Sequence, residues 1–449
     1  MIKITEQALR DGNQSMVASR MAIDDMLPIT PLLDRVGFFS LEVWSGSVFE
    51  CCMRFLNEDP WERLRKFKEK MPRTPLKVLT RAQNLFGFRI FPNDVVYEFT
   101  KVAVKNGCNV FSIFDSLNDM RNMEVSIRAV KKEGAIAEAC VLYAINPIYT
   151  VEKFVEIGKT LEGFGSDIFA IHDSSGILAP SVAFDLVQRL KKELKIPVCL
   201  HFHCTTGMAM MSYWEGCRAG ADIVDTCMSP LSGGASLPAT EGMVAGFMGT
   251  QYDPKFDMKL LNDVKEYFSK LWEKYSSHYS RVLFEIDMGA FLHQLPSGML
   301  SHLMFQLKQA NALDKYEQVL KEVPAVLRDF GYPPLATPSS QIVASQAAMN
   351  VITGKRYQLI STEVKNYVRG MYGKPPGEIS EEVMVKVLGK NWEKEVFDGR
   401  PADRLEPELP RAEEEARKLG IVSKPEDVLT YIFYPKVFQE FLTNRRSGV

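Results

Sequence analysis

The residues of this chain best suited to metal chemistry are two histidines separated by one residue, His201 and His203, which follow an apolar run at 197–200. Side chains alternate between the two faces of a β-strand, so both imidazoles share one face and can bind one metal ion. A further donor is Asp11, a carboxylate that closes an apolar run near the N-terminus. Two histidines and one carboxylate suit Zn, Mn, Co or Fe. The spacing is also compatible with two hydrogen-bonded histidines that hold no metal.

Two arginines in similar positions, Arg10 and Arg81, are candidates for binding an anionic substrate. A planar guanidinium can hold a carboxylate through two parallel hydrogen bonds in a fixed orientation. Surface salt bridges are the alternative interpretation of either residue. The sequence therefore indicates a metal ion and a carboxylate in one site, provided that the fold brings these residues together.

The elements that must position these residues are short apolar segments that recur roughly every thirty residues, with helix-like stretches between them, such as 93–106 and 181–194. The apolar segments span 2–10, 38–44, 76–82, 110–116, 137–144, 167–174, 197–204 and 221–228. Eight such units predict an α/β fold, a (β/α)8 TIM barrel, over residues 1–291. Active sites of this fold lie at the C-terminal ends of the strands, where these polar residues would meet.

The remaining residues, 292–449, keep helical periodicity but lack β-rich segments between the helices. We therefore predict an all-α C-terminal domain after the barrel. A segment rich in charge and proline at 389–410 is predicted to be a connector, with helices at 411–419 and 425–442.

The composition favours a globular protein that acts on a small molecule. Among 449 residues, 54 Lys and Arg balance 56 Asp and Glu to a net charge of −2, which gives no positive field for nucleic acid. The sequence has no secretory leader pattern and no apolar run long enough to span a membrane. Its 8 cysteines include no Cys-x-x-Cys pair, so we expect reduced thiols in a cytoplasmic protein.

Several longer segments resemble the carboxyltransferases of biotin-dependent enzymes, a family with subunits of pyruvate carboxylase, oxaloacetate decarboxylase and transcarboxylase. The segments are LRDGNQS at 9–15, SLEVW at 40–44, RFLNEDPWERL at 54–64, LHFHCTTG at 200–207 and TPSSQIV at 337–343. The resemblance implies a barrel plus a helical domain. It also implies a divalent metal (Zn, Mn or Co) that acts on the carbonyl of pyruvate or oxaloacetate.

The resemblance also implies roles for individual residues. It assigns three metal ligands, three residues that hold the oxo acid, and one that moves a proton between the enol and biotin. In that order, they are Asp11, His201 and His203; Arg10, Gln14 and Arg81; and Thr226.

Three positions depart from the family pattern. His172 stands where the family has a carbamylated lysine that is the fourth metal ligand, and an imidazole forms no stable carbamate. We expect His172 either to bind the metal through a ring nitrogen or to lie beside a ligand. Phe88 replaces a tyrosine and Glu50 replaces an aspartate, and both positions face biotin in the family. The oxo-acid half of the site is thus retained, whereas the biotin half is altered.

The resemblance leaves three functions open. The first is a carboxyltransferase-type homodimer whose biotin arrives on a separate carrier, with a biotin carboxylase or membrane decarboxylase subunits as partners, since the sequence has no Ala-Met-Lys-Met signature. The second is a biotin-independent, metal-dependent lyase of a 2-oxo acid, of decarboxylase or aldol type. The third is a catalytically silent assembly subunit.

Overall fold

Eight parallel strands form a closed barrel in which each strand pairs with its neighbours in chain order and β8 pairs with β1. The structure is a computed structural model that describes residues 1–278 and 281–447. The strands are β1 Lys3–Glu6, β2 Ser40–Ser45, β3 Leu76–Thr80, β4 Cys108–Phe114, β5 Ile136–Leu142, β6 Ile168–Asp173, β7 Val198–Phe202 and β8 Ile223–Thr226. Each lies within a predicted segment or overlaps it, which confirms the predicted barrel.

Helices surround the strands. The helices of the barrel region are α1 Asn13–Val17, α2 Ile23–Met26, α3 Thr30–Val36, α4 Gly46–Phe55, α5 Pro60–Lys70, α6 Asn93–Lys105, α7 Met120–Lys132, α8 Val151–Gly163, α9 Pro180–Glu193, α10 Ala209–Arg218, α11 Thr240–Phe247 and α12 Met258–Tyr275. The helices cover the outer face of the barrel and side chains fill its interior, so the strands are buried on both faces. This arrangement explains why they are nearly continuous apolar runs in the sequence.

The first strand is shorter than predicted. It ends at Glu6, and residues Ala8–Gly12 form a π-helical turn instead of the end of a strand. This turn packs tightly, because a Cβ atom at Gly12 would lie 2.5 Å from Cys227 Sγ. Arg10 and Asp11 are consequently presented by a turn at the mouth of the barrel, with both side chains buried.

The rest of the chain is helical, as predicted. Its helices are α13 Ala290–His293, α14 Ser297–Gln309, α15 Tyr316–Asp329, α16 Ser339–Thr353, α17 Thr362–Val368, α18 Glu381–Leu388, α19 Leu409–Lys418, α20 Glu426–Phe433 and α21 Pro435–Ser447. Helices α14 to α18 enclose a second hydrophobic core around Leu303, Val319 and Val343. None of the described helices is long and apolar enough to cross a membrane.

The last helices return to the barrel and join its core. Trp61 Nε1 on α5 donates a hydrogen bond to Thr430 Oγ1 on α20 at 3.0 Å. Phe433 packs against the rings of Phe91 and Phe99, with centroids 5.3 Å and 5.6 Å apart. The division between residues 291 and 292 stays a prediction, but the final helices share the core of the barrel rather than the second core.

Candidate metal centre

Three predicted metal ligands meet at the mouth of the barrel. His201 lies on β7, His203 follows that strand, and Asp11 comes from the π-helical turn after β1. The two Nε2 atoms lie 3.3 Å apart, and they lie 3.6 Å and 3.7 Å from Asp11 Oδ2. All three residues are buried. The geometry is that of one compact group of ligand atoms.

The partners of the two imidazoles determine which nitrogen carries the proton. His203 Nδ1 lies 2.6 Å from the carbonyl oxygen of Ala235, which can only accept a hydrogen bond. His201 Nδ1 lies 3.0 Å from Asp225 Oδ2. Burial opposes ionisation of Asp225, but the Lys77 ammonium and His201 lower its pKa below the usual range, so Asp225 is a carboxylate acceptor. Both Nε2 atoms therefore direct lone pairs towards the same point.

This donor set fits a divalent cation. Two nitrogen lone pairs and one carboxylate converge, and ligands about 2.1 Å from a metal in tetrahedral or octahedral geometry stand roughly 3.0–3.4 Å apart. Burial opposes ionisation of Asp11, but Arg10 and then the two histidines hold its pKa well below the usual range. Asp11 is therefore a carboxylate, the form in which it can bind Zn, Mn or Co.

Arg10 is held in place by acidic neighbours. Its Nη1 lies 2.8 Å from Asp11 Oδ2, and its Nε donates to Glu42 Oε1. Burial would lower the pKa of Arg10, but these two carboxylates raise it. The guanidinium thus orients the ligand Asp11, while its predicted contact with the oxo acid stays a prediction.

Arg81 differs from Arg10 in the groups that its guanidinium contacts. Its Nη1 donates to the carbonyl oxygen of Gly87 at 2.5 Å, and its guanidinium lies 5.1 Å from the centroid of the Phe88 ring. No carboxylate of the described residues is within ion-pairing distance of Arg81. The carboxylate of Glu50 pairs with Arg54 instead, at 2.6 Å. Burial lowers the pKa of Arg81. Arg81 is therefore the cation at the mouth that has no anionic partner within the described chain.

Local sequence places these mouth residues. A Cβ atom at position 46 would lie 2.8 Å from Arg81 Nη2, so Gly46 gives the guanidinium its space. Gln14, near the start of α1, is exposed, with its Oε1 3.5 Å from Ser45 Oγ. Phe88 is 45 % exposed. Gln14 and Phe88 thus lie on the solvent side of the buried ligand group.

His172 does not join the three ligands. It pairs in register with His201 across β6 and β7, and the two rings stack with centroids 4.2 Å apart and planes inclined by 21°. His172 contributes no atom to the group of Asp11, His201 and His203. Burial lowers the pKa of His172 well below its usual value, so the ring is neutral. In this structure His172 packs on the ring face of His201, and its role as a fourth ligand stays a prediction.

Thr226 is also placed away from the site. It follows Asp225 on β8 and so faces the other side of the strand. Its hydroxyl lies 2.7 Å from Thr240 Oγ1, which donates to Glu6 Oε2 in the layer between strand and helix. The alternation of side chains thus directs the Thr226 hydroxyl to Thr240 rather than to the ligands, and its role in moving the proton stays a prediction.

A second layer of charges beneath the ligands was missed by sequence reasoning. Lys77 Nζ lies 2.6 Å from Glu138 Oε1 and 3.2 Å from Asp225 Oδ2, and Glu42 binds Arg10. All of these side chains except Arg10 have no exposed surface. The available signal was a single charged residue inside an apolar strand, as in LKVLT and SLEVW.

A cavity of about 210 Å³ separates this end of the barrel from the helical region. Its lining includes His172 and Ser174 from the barrel, Leu327 from α15 and Leu335 from the segment between α15 and α16. Nearby, Ser339 Oγ at the start of α16 lies 3.4 Å from the carbonyl oxygen of Ser116, which follows β4. The helical region thus lies next to the mouth of the barrel on the side of His172.

Comparison with known protein families gives two matches. Residues 290–448 match a family described as a conserved carboxylase domain, and residues 121–267 match a family described as HMGL-like. The first covers the helical region and the second covers the later part of the barrel.

Similar proteins span nearly the whole chain. A pyruvate carboxylase subunit of Methanocaldococcus jannaschii is 48% identical over 98% of this chain and 78% of that protein. The 2-oxoglutarate carboxylase large subunit of Hydrogenobacter thermophilus is 42% identical over 100% of this chain and 69% of that protein. The methylmalonyl-CoA carboxyltransferase 5S subunit of Propionibacterium freudenreichii is 39% identical over 100% of this chain and 88% of that protein.

Solved structures show the same architecture. A carboxyl transferase domain of Rhizobium etli pyruvate carboxylase with pyruvate superposes with a TM-score of 0.94 at 30% identity, over 99% of this chain and 77% of that chain. The same domain with pyruvate and biocytin also gives a TM-score of 0.94, over 100% of this chain and 78% of that chain.

Proposed function

Because the chain belongs to the family of biotin-dependent carboxyltransferases, we propose that it moves a carboxyl group between pyruvate or oxaloacetate and biotin on a separate carrier. The observation that carries this proposal is the convergence of Asp11, His201 and His203, with both Nε2 lone pairs directed to one point.

Different residues of this chain would bind the metal and the substrate. Asp11, His201 and His203 would hold the divalent metal, and Arg10 keeps Asp11 ionised and oriented. When bound, the metal supplies Lewis acidity that polarises the keto group and stabilises the negative charge that develops there. Arg81, which lacks an anionic partner within the described residues, would bind the carboxylate of the oxo acid.

The carrier and the remaining partners follow from the relatives. Several of them are named as subunits, which supports a biotin carrier and a biotin carboxylase or membrane decarboxylase subunits as partners of this chain. The homodimer and the cytoplasmic location stay predictions. Pyruvate is the substrate that we favour, and 2-oxoglutarate is the alternative to test, because a relative is named for it.

A second candidate function is a metal-dependent lyase that acts on a 2-oxo acid without biotin. It is favoured by His172, which stacks on His201 where the family has a lysine, and by Phe88, which lacks the hydroxyl of the family's tyrosine. The oxo-acid half of the centre would serve either reaction.

One assay separates the two functions. The protein is loaded with Mn, Co or Zn, and oxaloacetate decarboxylation is followed with and without free biotin. We expect biotin to stimulate turnover, and Asp11→Asn to abolish it. Rapid decarboxylation that biotin does not change would favour the lyase, and no reaction with any metal would support the silent assembly subunit.

A further inference from the structure

The interior of the barrel holds a lysine with no solvent contact. Lys77 lies on β3 in an apolar strand, and its side chain has no exposed surface. Its Nζ lies 2.6 Å from Glu138 Oε1, 3.2 Å from Asp225 Oδ2 and 3.9 Å from Glu42 Oε2. A lysine is almost never fully buried unless it is paired, because removing its charge from water is costly. Three carboxylates around one ammonium supply that pairing.

This ammonium is connected to the ligands through one carboxylate. Asp225 Oδ2 accepts from His201 Nδ1 at 3.0 Å, and His201 Nε2 faces Asp11 and His203. Asp225 therefore stands between Lys77 and a ligand ring. A carboxylate that accepts the distal N–H of a ligating histidine fixes its tautomer and ring orientation and raises the basicity of the ligating nitrogen.

The other groups around Asp225 leave this pathway intact. Gln7 Nε2 donates to Asp225 Oδ2 at 2.9 Å, and Cys199 Sγ lies 3.5 Å from Oδ1. Lys77 is the cation in direct contact with this carboxylate among the described residues. The Lys77 ammonium therefore places a positive charge next to the buried Asp225 side chain and fixes its position.

The same contacts argue against a second metal ion at this depth. Ligand-type atoms of Glu138, Cys199 and Asp225 lie within 4.8 Å of one another. The Lys77 ammonium already contacts two of these three residues at 2.6 Å and 3.2 Å. A fixed ammonium thus takes the place that a cation would need.

We propose that Lys77 is a positioning residue of the metal centre. Its ammonium fixes the position of the Asp225 side chain, which bonds His201 Nδ1 and so orients the ring with Nε2 towards the metal. This inference rests on the metal centre of the proposed function but not on carboxyl transfer. Since Lys77 touches none of the three ligands, it acts through Asp225.

The competing role for Lys77 is purely structural, in which it only neutralises buried carboxylates and allows the barrel to fold. The two roles differ in whether the effect of Lys77 on metal affinity depends on Asp225. If Lys77 acts through Asp225, removing it has little further effect on metal affinity once Asp225 has lost its charge. If Lys77 acts only on folding, its removal lowers stability without a specific link to Asp225 in metal binding.

The test measures metal affinity in a double-mutant cycle of Lys77→Gln and Asp225→Asn. Zn²⁺ affinity is determined by competition with a chromophoric chelator, and Co²⁺ absorption spectra report the geometry of the ligands. The matched control is Lys191→Gln, which removes another lysine paired with an aspartate next to β8, Asp222, at 2.7 Å. Thermal unfolding by circular dichroism checks the fold of each variant.

We expect Lys77→Gln and Asp225→Asn each to weaken Zn²⁺ binding by roughly 10- to 100-fold and to change the Co²⁺ spectrum. In the double variant we expect the further loss due to Lys77→Gln to fall below about 3-fold, and in Lys191→Gln we expect less than about 2-fold. Because an unpaired Glu138 threatens folding, Lys77→Gln/Glu138→Gln removes one charge of each sign, and we expect it to fold yet still bind Zn²⁺ weakly.

Three results would overturn the proposal: Zn²⁺ affinity of Lys77→Gln within 2-fold of the native protein, additive losses in the double variant, or native affinity in Lys77→Gln/Glu138→Gln. Failure of the proposed function looks different. A native protein that binds Zn²⁺ normally but transfers no carboxyl group would refute the carboxyltransferase and leave the role of Lys77 intact.

Discussion

Replacing Arg81 tests whether the unpaired cation at the mouth binds the carboxylate of the oxo acid. Arg10 is already engaged by Asp11 and Glu42, whereas no carboxylate of the described residues pairs with Arg81. In Arg81→Gln the substrate loses a charge-assisted hydrogen-bonded pair. Hydrogen bonds to charged groups contribute about 1.5–3 kcal/mol, which corresponds to roughly 10- to 150-fold in affinity.

The assay is calorimetric binding of pyruvate to the Mn-loaded protein, together with KM for oxaloacetate. We expect Arg81→Gln to weaken pyruvate binding and to raise the KM for oxaloacetate by that factor. Arg81→Lys should recover part of the loss, because lysine keeps the charge but not the planar guanidinium. The control is Arg128→Gln, which removes an exposed arginine paired with Glu124 at 2.6 Å. A change below 3-fold in a folded Arg81→Gln protein would refute the assignment.

Three further predictions concern the packing of Gly12, the role of Thr226 and the effect of pH on stability. Gly12→Ala places a Cβ 2.5 Å from Cys227 Sγ, so we expect it to lower the free energy of unfolding by about 1–3 kcal/mol in denaturant titrations; an unchanged midpoint would contradict the packing of this turn. Thr226→Val removes a hydroxyl that bonds Thr240, so we expect a stability loss of about 1 kcal/mol and turnover within a few-fold of native; a loss of turnover beyond 100-fold would instead support a role of Thr226 in moving the proton. Burial keeps the pKa of His172 well below that of an unfolded histidine, about 6.5. Below that pH the unfolded chain binds a proton that the folded chain does not. The free energy of unfolding of the metal-free protein therefore falls by about 1.4 kcal/mol for each unit by which the pH is lowered. His172→Gln should show a shallower pH dependence of the unfolding free energy, and an identical slope would show that His172 is protonated in the folded protein.

Much of the fold could be predicted from sequence because strands buried on both faces leave long apolar runs. The end of β1 could not, since a π-helical turn at Ala8–Gly12 has no periodic signature. The grouping of Asp11 with His201 and His203 was predictable, because the carboxyl ends of barrel strands share one mouth.

The sequence could not give the direction and register of the side chains at the site. Thr226 ends a strand, but its neighbour Asp225 takes the inward position. The register of His172 with His201 stacks the two rings, which the sequence does not show. Lys77 could be seen as an isolated charge in an apolar strand, but its partners come from two other strands and only the fold reveals them.

The most direct test of the central claim follows the carboxyl group itself. Metal-loaded protein is incubated with oxaloacetate labelled at the transferable carboxyl group and with a biotinylated carrier from a relative, and label on the carrier is counted. We expect metal-dependent labelling of the carrier that is lost in Asp11→Asn. Release of all label as CO₂ with none on the carrier, at a rate independent of biotin, would contradict it.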